Sequence, residues 1–172
     1  MRKAIGSKVV LDSQSNTAID FMECVKDLFE FEEVKNLDLY HQHIGTSRLQ
    51  HCLNVSYYSY RIAKALKGDY RSAARAGMLH DLFWYDWRTT RTPQLHAFYH
   101  PKAAVENALK IVELNKKECH AILIHMWPLC LGFPGDKVSF AVTVADKYCT
   151  VVEVCSQWSL KFLRLFSFGG TN

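Results

Sequence analysis

The chain has 172 residues, of which 49% are hydrophobic and 22% are charged, and its formal net charge is +4. This balance is typical of an ordinary globular domain with enough apolar material for one hydrophobic core. The modest positive charge gives no argument for binding a nucleic acid polymer, but it is compatible with a small anionic substrate. No apolar run reaches the ~18–20 residues of a membrane-spanning helix, and the N-terminus lacks the apolar segment of a secretory signal.

Six cysteines are spread along the chain without a CxxC pair, and most of them lie in apolar helical patterns. Such cysteines are typical of reduced thiols in a cytoplasmic protein, not of a disulfide framework. We therefore expect a cytoplasmic protein with one domain over residues 16–168, an N-terminal arm over 1–15 and a short tail over 169–172.

Apolar residues recur at helical spacing along most of the chain, and no strand or internal repeat is convincing. The first helix is expected over residues 17–37, with Asn16 or Thr17 at its N-cap. A longer helix is expected to begin at Ser47 and to end where Gly68 stops it.

The middle of the chain continues with an alanine-rich helix over 69–82, capped by the aspartate at its start. Residues 83–95 are aromatic and polar and contain a proline, which predicts a loop or a lid. The next helix is expected over 100–114. It should begin at His100 and Pro101, because proline suits the first helical turn and disfavours helical geometry in the residue before it.

The last third of the chain predicts a short helix over 116–126 and a long helix over 137–158. An apolar extension follows over 160–168. The predicted fold class is therefore all-α, a single bundle of six or seven helices.

An adjacent histidine and aspartate, His80 and Asp81, stand at the end of the alanine-rich helix. Imidazole nitrogen and carboxylate oxygen are both ligands that divalent transition metals take in proteins. A carboxylate at a helix C-terminus is unfavourably placed unless a positive group holds it. The pair is therefore the first candidate for a metal site.

Four further residues are candidate ligands because each is a polar group that needs a partner where it stands: His51, His100, His125 and Asp146. His51 shares a helix face with Arg48. Asp146 interrupts an apolar run in the last long helix, where an unpaired carboxylate is costly to bury. Lys147 is not its expected partner, because successive residues of a helix point about 100° apart. For His51 and His125 the alternative is a buried imidazole with ordinary hydrogen bonds, and for His100 it is a simple helix cap.

The candidates together offer four imidazoles and two carboxylates, namely His51, His80, Asp81, His100, His125 and Asp146. This is more than one metal ion needs if positions are to stay open for water. The set suits two metal ions that share one carboxylate, with water or hydroxide between them as the nucleophile. His120 is expected at the surface, and His96 is not expected to form a helical pair with His100.

The order His51, His80-Asp81, Asp146 resembles the H…HD…D signature of the HD-domain superfamily of metal-dependent phosphohydrolases. The resemblance covers roughly residues 40–155. His100 and His125 are similar to the two extra histidines of the binuclear HD subgroup, which includes the HD-GYP phosphodiesterases. No GYP tripeptide follows the His-Asp pair, so the metal arrangement of that subgroup carries over better than its substrate.

The resemblance implies an HD-type bundle that hydrolyses a phosphoester of nucleotide or cyclic-nucleotide type. It implies two divalent transition metals, with Fe or Mn favoured over Mg, Co, Ni or Zn. Asp81 would bridge the two metal ions. The other ligands of the first metal ion would be His51, His80 and Asp146, and those of the second would be His100 and His125. A metal-bound hydroxide would attack phosphorus.

Arg48 and Lys102 are the candidate phosphate contacts, because cationic side chains near such a site recognise phosphoryl oxygens. His43 is a weaker candidate for a supporting or substrate-binding role, and the aromatic residues 83–87 either stack on a base or pack as a lid. Two alternatives stay open: a diiron oxygenase on the same fold, and a metal- or nucleotide-binding module without catalysis. The expected partner is a phosphorylated small molecule, and association with a second copy of the chain stays open.

Overall fold

The computed structural model describes residues 3–11, 13–43 and 45–167, with side chains described as far as Ser156. Over these residues the chain forms seven α-helices and one tiny two-stranded hairpin, so the predicted all-α class is confirmed. The helices are α1 (Asn16–Val25), α2 (Glu32–Lys35), α3 (Arg48–Ala65), α4 (Tyr70–Leu79), α5 (His96–Ile111), α6 (Lys116–Ile124) and α7 (Lys137–Ser167). The predicted tail over 169–172 lies outside the described residues.

The hairpin pairs β1 (His41–His43) with β2 (Thr46–Ser47) in antiparallel register, directly before α3. It is a correction to the expectation of a chain without strands. With three and two residues, these strands are too short to leave a periodic pattern in the sequence. The hairpin fixes where α3 begins, because Ser47 is both the end of β2 and the N-cap that accepts a hydrogen bond from the Gln50 amide.

The single helix predicted over 17–37 is broken into α1, α2 and two 3-10 helices (Lys26–Glu30 and Asn36–Leu39). Its N-cap is Ser15, whose side chain accepts a hydrogen bond from the Ala18 amide, instead of Asn16 or Thr17. The breaks let successive apolar side chains turn toward the core, and Leu28, Val34 and Leu37 are all fully buried. One straight helix would not place all of them on one face.

The α3–α4 pair forms the centre of the bundle, and α7 packs against α3. The expected cap of α4 is confirmed, since Asp69 accepts a hydrogen bond from the Ser72 amide. At Gly77 the two helices touch so closely that an added Cβ would lie 2.8 Å from the Cα of Ser56. The small residues of α4 therefore bring its C-terminal end, and with it His80, against α3.

Helix α5 begins at His96, one turn earlier than predicted, and Pro101 lies inside it. Pro101 is the sixth residue of this helix, so it lies past the first turn and offers no main-chain donor to the Ala97 carbonyl. As a correction, His96 and His100 are thus a helical pair, and their rings stack at 4.4 Å between centroids.

In the described part of the chain, no helix combines the length and apolar character that crossing a membrane requires. The six cysteines are free thiols, and Cys24, Cys52 and Cys149 are buried. The arm at residues 3–11 packs on α3, where the Ile5 amide donates to the Asn54 side chain and Tyr58 donates to the Ile5 carbonyl.

Candidate metal centre

The six predicted ligands converge in one place and are all buried. They come from the inner faces or C-terminal ends of five helices: α3 (His51), the end of α4 (His80, Asp81), α5 (His100), the end of α6 (His125) and α7 (Asp146). Buried groups of this kind, within ligand distance of one another, can hold a metal ion. They fall into two groups that share Asp81.

The first ligand group consists of His51, His80, Asp146 and Asp81. The Nε2 atoms of His51 and His80 lie 3.3 and 3.8 Å from the Oδ1 atom of Asp146. The same His80 nitrogen is 3.6 Å from Oδ2 of Asp81. Two imidazole nitrogens and two carboxylates thus face a common centre.

The second ligand group consists of Asp81, His100 and His125. The Nε2 atoms of His100 and His125 lie 3.2 and 3.9 Å from Oδ1 of Asp81. Asp81 therefore presents Oδ2 to the first group and Oδ1 to the second. This is the arrangement that a bridging carboxylate requires.

Three of the histidines have a fixed tautomer. The Nδ1 atom of His80 lies 2.8 Å from the Gly77 carbonyl. The Nδ1 atoms of His100 and His125 lie 2.8 and 2.7 Å from the carbonyls of His96 and Ile122. A carbonyl only accepts, so each Nδ1 carries the proton and each Nε2 presents a lone pair to the centre. Metal-ligating histidines are held in this way.

The closest contact within the second group is the 2.9 Å between Nε2 of His100 and Nε2 of His125. With protons only on Nδ1, two lone pairs would face each other, so either a proton or a metal ion must lie between the two nitrogens. Two nitrogens bound cis to one metal at about 2.1 Å are separated by roughly 3.0 Å, so the observed spacing fits shared coordination. Nε2 of His80 and Oδ1 of Asp81 are buried without a hydrogen-bond partner, which also fits a cation-binding site.

Glu153 supports the first group and was missed by the sequence analysis. Its carboxylate is fully buried on α7 and lies 3.0 and 3.1 Å from Nδ1 of His51. It also accepts a hydrogen bond of 2.7 Å from the Asn54 amide. The signal was present, because Glu153 follows Asp146 by two helical turns and interrupts a second apolar run on the same face.

His43 closes the outer side of this arrangement. Its Nε2 atom lies 3.8 Å from Glu153, and its ring meets that of His51 edge-on at 5.3 Å. The structure therefore puts His43 next to the first ligand group. Its contact there is with the supporting carboxylate Glu153.

The electrostatics favour a cation at the centre. Burial alone would raise the pKa of Asp81, but the imidazoles of His80, His100 and His125 hold this pKa well below its usual value. Burial, followed by the neighbouring imidazoles, lowers the pKa of His125 to about 3. An ionised carboxylate thus stands beside the neutral imidazoles of His80 and His125, which is the state that metal ligands must have.

His51 behaves differently. Burial opposes its charge, but the carboxylates of Asp146 and Glu153 on its two sides raise its pKa to about 10. Burial would likewise raise the pKa of Asp146, but His51, followed by His80 and Lys147, keeps it below the usual range. A metal ion that binds to Nε2 of His51 must displace a proton from this carboxylate–imidazole–carboxylate chain.

Arg48 does not fit the expected phosphate contact. It is fully buried, and its guanidinium donates to the Phe83 and Tyr85 carbonyls and to the side chain of Gln42. Gln42 in turn donates to Oδ2 of Asp81. The role of Arg48 in the structure is therefore to fix the 83–85 loop and, through Gln42, the shared carboxylate.

Lys102 is a second correction. It is exposed on α5 and lines an apolar groove on the outer side of the helix, whereas the candidate ligand His100 faces inward.

Lys147 is a third correction, because its ammonium does pair with Asp146, at 2.9 Å, and also donates to the His125 carbonyl. A lysine side chain is long enough to fold back across the 100° between neighbouring positions.

The 83–87 segment packs at the edge of the site, as a loop. Trp87 stacks on His96 at 5.5 Å, and His96 stacks on the ligand His100. Burial, followed by the neighbouring imidazole of His100, lowers the pKa of His96 to about 4. Arg88 donates to the Gln42 carbonyl and is partly exposed, so it is the cationic group of this loop nearest the hairpin.

Comparison with known proteins adds no further identification. No protein-family model, no curated protein and no solved structure gives a significant match to this chain.

We predict that Glu153→Gln weakens metal binding about 10- to 100-fold, because losing a carboxylate behind a ligating imidazole lowers its basicity and loosens its orientation. Competition with a chromogenic chelator measures the affinity. The control is Glu113→Gln, an exposed site with the same chemical change. Equal affinities in the two variants would show that Glu153 only fills space.

Proposed function

We propose that this chain is a metal-dependent phosphohydrolase that cleaves a phosphoester of a small, nucleotide-like molecule with two divalent transition metals. The observation that carries the proposal is the carboxylate of Asp81, which turns one oxygen to each of two ligand groups. Four imidazoles favour Fe or Mn over Mg. The order of these ligands along the chain is that of the HD-domain superfamily, which supports the same reaction class.

Metal ions bound there would supply Lewis acidity toward the phosphoryl oxygens and a water molecule of lowered pKa. The role of Asp81 is to hold both groups in register, while Gln42 and Arg48 keep its carboxylate in place. Phosphoryl oxygens need cationic contacts, and Lys147 is well placed because its ammonium borders Asp146 and its side chain is 44% exposed. Arg88 is a second cationic group for the outer part of the substrate.

The first experiment is metal analysis of untagged protein purified without added metal. Close to two equivalents of Fe or Mn per chain, together with hydrolysis in a panel of phosphomonoesters and phosphodiesters, would support the proposal. Bound iron with oxygen consumption and no phosphoester hydrolysis would instead favour an oxygenase. A protein that binds no metal after reconstitution would contradict both enzymes and leave a binding module.

We predict that His125→Ala lowers the metal content by about one equivalent, because the second ligand group keeps only His100 and the shared carboxylate. The first group is untouched, so one ion should stay bound. Elemental analysis under saturating metal measures the change. The matched control is His120→Ala on the same helix, where the imidazole is exposed and pairs with Asp136. Unchanged stoichiometry in His125→Ala would mean that a single metal site exists.

A further inference from the structure

An exposed apolar surface surrounds the groove that contains Lys102. Leu131 is fully exposed and Phe133 is 68% exposed, although both are large apolar residues. Four more large apolar side chains with substantial exposure either line the groove or directly follow or precede a groove-lining residue in sequence. We call these six residues the apolar face: Leu95, Phe98, Leu123, Leu129, Leu131 and Phe133.

The groove at the centre of this face is a cavity of about 670 Å³ between α5 and α6. Phe98 of α5 and Leu123 of α6 line it, and Leu131 stands at its other side. Its ionisable lining residues are Lys102, His120 and Cys130. The face is thus continuous from the two helices to the segment after α6, where Phe133 is held edge-on against Trp127 at 5.7 Å.

The size of the face is that of a protein interface. At about 200 Å² for a fully exposed large apolar residue, the six residues expose roughly 750 Å². The largest apolar patch of a typical monomer is about 300–600 Å², and a standard interface buries about 800 Å² on each partner. A small ligand in the groove would leave most of this apolar area, including Phe133 and Leu129, in water.

The face also carries complementary shapes side by side. Leu131 and Phe133 project from the segment after α6, and the groove between α5 and α6 lies next to them. A two-fold axis through such a surface places the projection of each copy in the groove of the other. A partner with a different surface would need to supply both shapes independently.

We propose that the apolar face is the interface of a symmetric homodimer, in which Leu131 of each copy enters the groove between α5 and α6 of the other. The interface lies on the outer faces of the two helices whose inner faces carry His100 and His125. Pro101 and Ile124, the sequence neighbours of these ligands, line the groove. Dimerisation therefore braces the second ligand group, but the proposal does not depend on which reaction the metal centre catalyses.

The test is sedimentation velocity of the full chain from about 1 to 100 µM, with Leu131→Asp as the variant. The wild-type chain should sediment as a species of twice the 19.8 kDa chain mass. Because the dimer is symmetric, Leu131→Asp introduces one negative charge from each copy into the interface. We therefore expect the dimer dissociation constant to rise at least 100-fold. Leu131 is fully exposed, and replacing it leaves the fold of the chain intact.

The matched control is Leu109→Asp, which places the same change at a 54% exposed position of α5 outside the groove. This variant should remain dimeric. Phe98→Ser tests the opposite side of the contact and should weaken the dimer like Leu131→Asp. A wild-type monomer at 100 µM would overturn the proposal. So would a Leu131→Asp variant that dimerises as well as Leu109→Asp, since the dimer would then use another surface.

Discussion

Asp81→Ala should lose both metal ions and reduce phosphoester hydrolysis about a thousandfold or more. Asp81 is the one ligand that belongs to both groups, so its removal leaves each of them short of an anionic donor. The remaining imidazoles carry no negative charge, and they hold a divalent ion weakly without the bridge. Elemental analysis and the hydrolysis assay should therefore fall together.

Two variants make this result interpretable. Asp81→Asn keeps the size of the side chain and a partner for Gln42, so a loss of metal in this variant cannot be assigned to a hole in the core. Asp20→Ala removes a half-exposed aspartate of α1 that pairs with Lys64, and it should change neither metal content nor hydrolysis. Full activity and normal metal content in Asp81→Ala would overturn the assignment of the centre.

Gly77→Ala should destabilise the fold by about 2 kcal/mol or more, because the new methyl group meets main-chain atoms of α3. Its Cβ would lie 2.8 Å from the Cα and 3.0 Å from the amide nitrogen of Ser56, and 3.0 Å from Oγ of Ser59. Main-chain atoms in the middle of a helix cannot move aside individually. The gain in helix propensity from glycine to alanine, about 1 kcal/mol, is too small to compensate.

Thermal unfolding of the metal-free protein measures this effect and should show a melting temperature lower by about 4–8 °C. Gly135→Ala is the control, since its nearest contacts to an added Cβ are 3.9 Å away and no positive φ is involved. Metal affinity should also fall in Gly77→Ala, because the Gly77 carbonyl holds Nδ1 of His80. Unchanged stability would mean that α3 and α4 can separate without cost.

The helical architecture was predictable because apolar periodicity and caps such as Ser47 and Asp69 are local signals. The candidate ligands were recognisable for a different reason. A carboxylate such as Asp146, inside an apolar helix run, is costly unless something compensates it, and this cost is visible without a structure. The breaks between α1 and α2 were not predictable, since they are set by packing against the rest of the core.

Side-chain direction was the main source of error. Arg48 and Lys102 both carry the charge that a phosphate contact needs, but their sequence positions do not say whether they face the centre, the core or solvent. The burial of Arg48 depends on carbonyl groups from a loop that follows 35 residues later. The position of His96 depended on whether Pro101 opens its helix or lies within it, and local preference favoured the first of these, which is wrong here.

The distance in sequence between His51 and Glu153 affects the order of events during synthesis. Glu153 follows His51 by 102 residues, and at about 5–20 residues per second a ribosome adds that stretch in roughly 5–20 s. During this time His51, His80 and Asp81 have been made but lack Asp146 and the carboxylate that orients His51. Since unfolded chains rarely contain a formed site, we expect the first ligand group to bind a metal ion only after α7 has been translated and packed. The identity of that ion then depends on which metals the cell offers to a finished chain.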